Sequence, residues 1–194
     1  MKLLRENLKS LNTLPNKLTI SRMLIAPIIL IIFPLTHEYI FPRFFCTFLF
    51  CLAAITDFFD GYLARKYQNE SKLGALLDPI ADKLLVTAAI IVLVAVDYLP
   101  AFIGGLLLCR EVAINGMRLT AASEGFSIPV SNLGKYKTLA QDLAIVLLMI
   151  HTPQLANAGM ITIWISLILS YYSAYEYWQG FWAKSSSQFQ DEPS

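Results

Sequence analysis

Six long apolar runs, roughly residues 18–35, 41–64, 73–96, 99–119, 132–151 and 157–182, fill most of this 194-residue chain. A bilayer core is crossed by a helix of about 20 mostly apolar residues. No water is available there to satisfy a bare backbone, so lipid admits only helices or closed barrels. The chain is 15% charged and 56% hydrophobic, against about 25% charged in soluble domains. The runs lie too close together for a separate soluble domain. The predicted fold is all-α: a polytopic membrane protein with six transmembrane helices. One membrane domain covers residues 1–184, and the polar stretch 185–194 is expected to be a disordered tail. Within the first 17 residues, Leu3, Leu4, Leu8 and Leu11 share a helical face away from Lys2, Arg5 and Lys9. This predicts a short N-terminal interfacial helix. A cleaved leader is not expected, because the first apolar run contains Arg22 and leads into further spans.

No nucleic-acid partner is expected; the net charge of +1 says little by itself, but the placement of the positive residues is informative. Lys2, Arg5, Lys9, Lys17 and Arg22 precede or open span one. Arg65, Lys66 and Lys72 lie at the junction of spans two and three. Arg118, Lys135 and Lys137 surround the junction of spans four and five, and Lys184 follows span six. The opposite loops hold only His37, Glu38 and Arg43, then Asp97, then His151. The positive-inside bias therefore puts both termini on the cytoplasmic side. His37 and His151 read as solvated loop residues. Cys46, Cys51 and Cys109 read as buried apolar residues, since an odd number without ligand spacing suggests neither disulfides nor a metal site. The aromatics of span six, Trp164, Trp178, Trp182, Tyr171, Tyr172, Tyr175 and Tyr177, read as an interface belt or core.

Four aspartates stand out against this apolar background. Asp57 and Asp60 close span two; Asp78 and Asp82 open span three, with Gly74 one turn earlier. A carboxylate at a membrane is costly and is usually paired, metal-bound or functional. On two antiparallel neighbours joined by a short polar link, the four would converge on one gap. Hard oxygen donors without His or Cys suit Mg²⁺ or Mn²⁺, and four carboxylates can hold two ions. The alternative is a set of interfacial salt bridges to Arg65, Lys72 and Lys83.

The pattern Asp57, Asp60, Gly61, Ala64, Arg65, then eight residues, then Gly74, Asp78 and Asp82 resembles the signature of the CDP-alcohol phosphatidyltransferases. That resemblance implies a six-span, homodimeric membrane enzyme that moves a phosphatidyl group from CDP-diacylglycerol to an alcohol and releases CMP. It implies that Asp57, Asp60, Asp78 and Asp82 hold the metals and that Asp82 is also the general base. Gly61, Ala64, Arg65 and Gly74 would form the CDP pocket, and Asn16 and Thr19 would contact the nucleotide.

Spans four and five bear on the acceptor. Arg110 and Arg118 lie eight residues apart near one helical face, and Lys135 and Lys137 open span five. Cations that deep need an anion. A phosphorylated acceptor would supply one; Glu111 or Asp142 could instead neutralise some of them. The segments Arg110–Arg118 and Gly134–Gln141 resemble those of the bacterial phosphatidylglycerophosphate synthases, a branch of the family. That likeness implies glycerol 3-phosphate as acceptor, bound through Arg110, Arg118, Lys135 and Lys137, at a bacterial cytoplasmic membrane. Inositol-phosphate or cardiolipin-synthase types are the rivals within the family. A divalent-cation transporter is the rival outside it, disfavoured because the outer halves of the spans are almost wholly apolar.

Overall fold

The computed structural model describes residues 14–37, 39–67, 72–128 and 132–190. Side chains are described for all of these except residues 14–16, 37, 57–67, 72–76, 78, 79, 132, 133, 135 and 186–190. The expected interfacial helix at the N-terminus lies outside the described residues.

Six α-helices follow one another: α1 Leu14–Ile32, α2 Ile40–Tyr67, α3 Lys72–Ala95, α4 Ala101–Ser123, α5 Asn132–Ile150 and α6 Pro153–Gln190, with a 3₁₀ turn Phe33–His37 after α1. No strand occurs among the described residues. Each helix coincides with one of the six apolar runs. Their connections are short, which favours antiparallel neighbours. At the end of α3, Tyr98 and Leu99 both donate backbone N–H bonds to the Leu93 carbonyl, at 2.9 and 3.1 Å. Asp97 adopts φ 60° in this turn. Two residues, His151 and Thr152, connect α5 to α6, and His151 takes φ 49°.

The core is shared by all six helices. Ile29, Phe50, Ala89, Leu93, Ile103, Ile145, Leu148 and Ile163 are essentially inaccessible. α1 packs along α3, and α5 along α6. Small residues allow the closest approaches. A Cβ built on Gly159 of α6 would meet Leu148 Cγ of α5 at 2.9 Å, and one on Gly104 of α4 would meet Val94 Cγ2 of α3 at 2.8 Å. Close packing through glycine is a known route to helix association where lipid removes the hydrophobic driving force.

The outer surface is apolar nearly everywhere, with Leu24, Ile31, Phe41, Phe48, Leu119, Leu139 and Ile168 all more than 60% exposed. A soluble monomer rarely exposes so much contiguous apolar surface. Two segments, Lys17–Thr36 and Pro153–Ser185, are long and apolar enough by themselves to cross a membrane, and Ile40–Thr56 is a shorter apolar segment. Charged residues interrupt α3, α4 and α5, which lowers their mean hydropathy. Among those with described side chains, Arg110 and Lys137 are buried, Asp82, Lys83, Glu111 and Asp142 are half-buried, and Arg118 is exposed.

Three expectations change. α6 continues to Gln190, so residues 185–190 extend a helix instead of joining a disordered tail; adding residues to a formed helix is far cheaper than nucleating one. Only Cys46 is buried, whereas Cys51 is half-buried and Cys109 exposed on the outer face of α4. His151 is not a solvated loop residue: its ring stacks on Tyr98, with centroids 3.4 Å apart and planes 3° apart. Arg43 Nη2 donates to the Tyr98 hydroxyl at 3.0 Å, and Phe33 meets the Tyr98 ring edge-on. The cluster ties the ends of α2, α3 and α5 together.

Candidate active site

Helical periodicity turns three scattered sets of polar residues into one wall. On α3, Lys83, Thr87 and Ile90 share a face with Asp82 beside it. On α4 that face carries Glu111, Asn115 and Arg118, and on α5 Gly134, Lys137, Thr138, Gln141 and Asp142. All line a cavity of about 810 Å³, to which α6 contributes Ser173. Seven of the lining residues are charged: Asp82, Lys83, Arg110, Glu111, Arg118, Lys137 and Asp142.

Glu111 organises the cations. Arg110 Nη1 donates to Glu111 Oε1 at 2.9 Å, and Lys137 pairs with the same oxygen. Lys83 Nζ stands 3.8 Å from Glu111 Oε2 and donates to Asn115 Oδ1. Arg110 and Lys137 are buried, so each needs fixed partners. Arg110 Nε donates to the Ser170 carbonyl of α6 at 2.9 Å. The carbonyl of Lys137 accepts from Ser166 Oγ, also on α6, at 3.3 Å. Arg118 is exposed and places its guanidinium over the Tyr177 ring, 5.8 Å from the centroid. One carboxylate shared by three cations leaves an excess of positive charge around it, in a space that a small anion can enter. Bidentate guanidinium contacts and ammonium charges are the groups that recognise phosphate.

Of the residues singled out from sequence, Arg110, Arg118, Lys137 and Asp82 meet at this cavity. Thr19 is buried on α1 and does not line it. Asp57, Asp60, Gly61, Ala64 and Arg65 fall on the last turns of α2, and Gly74 and Asp78 on the first turns of α3. Their side chains, and those of Asn16 and Lys135, lie outside the described ones, so the expected metal cluster does too. The α2 and α3 ends are nevertheless joined by only four residues, 68–71.

Sequence reasoning passed over Lys83 as a site residue, and it gave Glu111 and Asp142 no role beyond neutralising charge. The signal was present: residues 134, 138 and 142, and 137 and 141, repeat at four-residue steps, so anything at 141 or 142 shares the face of Lys137.

A family model for CDP-alcohol phosphatidyltransferase matches residues 12–172. The chain belongs to the CDP-alcohol phosphatidyltransferase family. It is similar to proteins named CDP-diacylglycerol–glycerol-3-phosphate 3-phosphatidyltransferase in several bacteria. The relative from Rickettsia typhi is 38% identical over 174 residues, covering 87% of this chain and 97% of its own. That from Rickettsia bellii is 40% identical, covering 86% and 93%. That from Bacillus subtilis is 34% identical over 189 residues, covering 87% and 95%. As a member of the CDP-alcohol phosphatidyltransferase family the chain is an enzyme of the phosphatidyltransferase type, and the cavity includes Asp82, the last aspartate of the family pattern.

Proposed function

We propose that the protein transfers the phosphatidyl group of CDP-diacylglycerol to glycerol 3-phosphate, giving phosphatidylglycerophosphate and CMP. In this proposal the protein is a homodimer that crosses a bacterial cytoplasmic membrane six times, with both termini and the site on the cytoplasmic side. The single observation that carries the acceptor assignment is the convergence of Arg110, Arg118, Lys137 and Lys83 on a cavity that Asp82 also enters. The names of the bacterial relatives support the same acceptor.

Two divalent ions, Mg²⁺ or Mn²⁺, would be held by Asp57, Asp60, Asp78 and Asp82. The donor set fits: hard carboxylates spaced by three and four residues on helical backbone suit a small hard ion that retains waters and shares phosphate oxygens. When bound, such ions supply neutralising charge for the pyrophosphate. The chain's own residues do the rest. Gly61, Ala64, Arg65 and Gly74 cradle the nucleotide, with Asn16 and Thr19 contacting it. Arg110, Arg118, Lys135 and Lys137 hold the acceptor phosphate and so orient its terminal hydroxyl towards the lipid phosphorus. Asp82 takes the hydroxyl proton as the new P–O bond forms. The bond to CMP breaks, and CMP leaves with that electron pair.

The test is CMP release by the purified protein in mixed micelles containing CDP-diacylglycerol. Turnover with glycerol 3-phosphate is expected, abolished by a chelator and restored by Mg²⁺ or Mn²⁺. Asp82→Asn should lower kcat by about 10²–10⁴-fold with folding retained, the usual worth of a general base. Turnover only with inositol phosphate or phosphatidylglycerol would refute the acceptor, and unchanged activity of Asp82→Asn would remove the base.

A further inference from the structure

Asp142 has no task in the transfer described above, yet it stands in the same cavity as Asp82 and Lys137 and within electrostatic reach of both. Its Oδ1 is shut off from solvent without a hydrogen-bond partner among the described residues. A buried carboxylate oxygen left without a donor is costly, and a native protein that keeps one invites the question of what supplies the donor. The salt bridges of Arg110, Lys137 and Lys83 among the described residues go to Glu111.

The spacing along α5 suggests the missing donor. Gly134, Thr138 and Asp142 follow at four-residue steps, with Lys137 and Gln141 alongside. Lys137 and Asp142 are thus separated by about 7.5 Å along the axis, at 1.5 Å per residue. One wall therefore offers a cation at one level and a hydrogen-bond acceptor a little over one turn deeper. A carboxylate accepts and cannot donate when ionised, so its complement is a hydroxyl. Glycerol 3-phosphate has two: one attacks beside Asp82, and the other enters the cavity with it. Burying that second hydroxyl without a partner would cost binding energy.

The geometry points to Asp142 as the acceptor of a hydrogen bond from the non-reacting hydroxyl of the polyol phosphate. It is therefore a specificity residue that selects a polyol phosphate over a simple hydroxyalkyl phosphate. The inference rests on the acceptor proposed above and deepens it.

The experiment compares kcat/KM for glycerol 3-phosphate and for 3-hydroxypropyl phosphate, which lacks only the middle hydroxyl, measured by CMP release with CDP-diacylglycerol and Mg²⁺. A site built to bond a hydroxyl rejects the analogue that lacks it strongly, so wild type should prefer glycerol 3-phosphate by at least about 100-fold. Asp142→Ala should reduce that ratio to below about 10, and Asp142→Asn, which keeps the volume and one acceptor oxygen, should give an intermediate value. The asparagine variant also decides the matter if the alanine variant does not fold, with folding followed by gel-filtration elution. A wild-type ratio near one, or variants that slow both acceptors in the same proportion, would overturn the assignment. No turnover of glycerol 3-phosphate by wild type would refute the acceptor itself and take Asp142's role with it. Good turnover with an unchanged ratio in both variants would overturn only Asp142.

Discussion

Glu111 holds together a group of cations that would otherwise repel one another. Arg110 and Lys137 are both buried and both bonded to its Oε1. Removing one partner of a buried ion pair typically costs about 3–5 kcal/mol, because the remaining charge is left uncompensated. Glu111→Ala is therefore expected to lower the denaturation midpoint in detergent markedly. Inorganic phosphate should restore more stability to this variant than it adds to wild type, because an anion can take the vacated position. Equal phosphate effects on the two proteins would argue against a phosphate site. At the opposite end of the molecule, burial and then the charge of Arg43 hold the His151 imidazole below its ordinary value of 6.5, while a backbone bond at Leu148 opposes them weakly. The unfolded chain then binds this proton more readily than the folded one. Stability from this residue is present above about pH 6.5 and is lost as the pH falls below it. The difference in melting temperature between pH 8 and pH 5 should shrink in His151→Phe, which keeps the stack on Tyr98.

Among the helices, the two glycine contacts decide how closely neighbours sit. Gly159 lets α6 lie against Leu148 of α5, within 2.9 Å of where a Cβ would be. The same two helices carry Lys137 and its Ser166 partner, so their separation sets the position of a cation in the cavity. Gly159→Val should destabilise the protein by about 1–3 kcal/mol, the usual cost of overpacking, as read from the shift in denaturation midpoint. It should also raise the KM for the acceptor. Gly105 has open space around its Cα, and Gly105→Ala serves as the control with neither effect. The positions of all six helices were legible from their apolar runs, because a run of about 20 apolar residues has few alternatives. Their ends were less so. The sixth apolar run ends near residue 182 and the polar stretch begins after Lys184, but helix continuation depends on local propensity and not on lipid, and the helix runs on to Gln190.

At the scale of the whole molecule, the proposed topology rests on the placement of charge. With the termini inside, as proposed, the α4–α5 connection would face the cytoplasm and the α5–α6 turn would face outward. In a background with Cys46, Cys51 and Cys109 replaced, a membrane-impermeant thiol reagent applied to intact cells should label Thr152→Cys and spare Glu124→Cys. The reverse pattern would invert the proposed orientation and place the cavity out of reach of a cytoplasmic nucleotide. The sequence by itself determined the all-helical class, the family and the positions that carry its pattern. These are properties of local composition and spacing, set by what a bilayer tolerates and by fixed offsets along a helix. Which side chains share a space was decided only by tertiary packing. Asp82, Glu111, Lys137 and Asp142 are separated by up to 60 positions in the chain. No periodicity within one helix states which face of the next it meets. That rotation is chosen by close contacts such as those at Gly104 and Gly159. By setting those faces, packing made Glu111 a shared counter-ion and left an oxygen of Asp142 without a donor among the described residues.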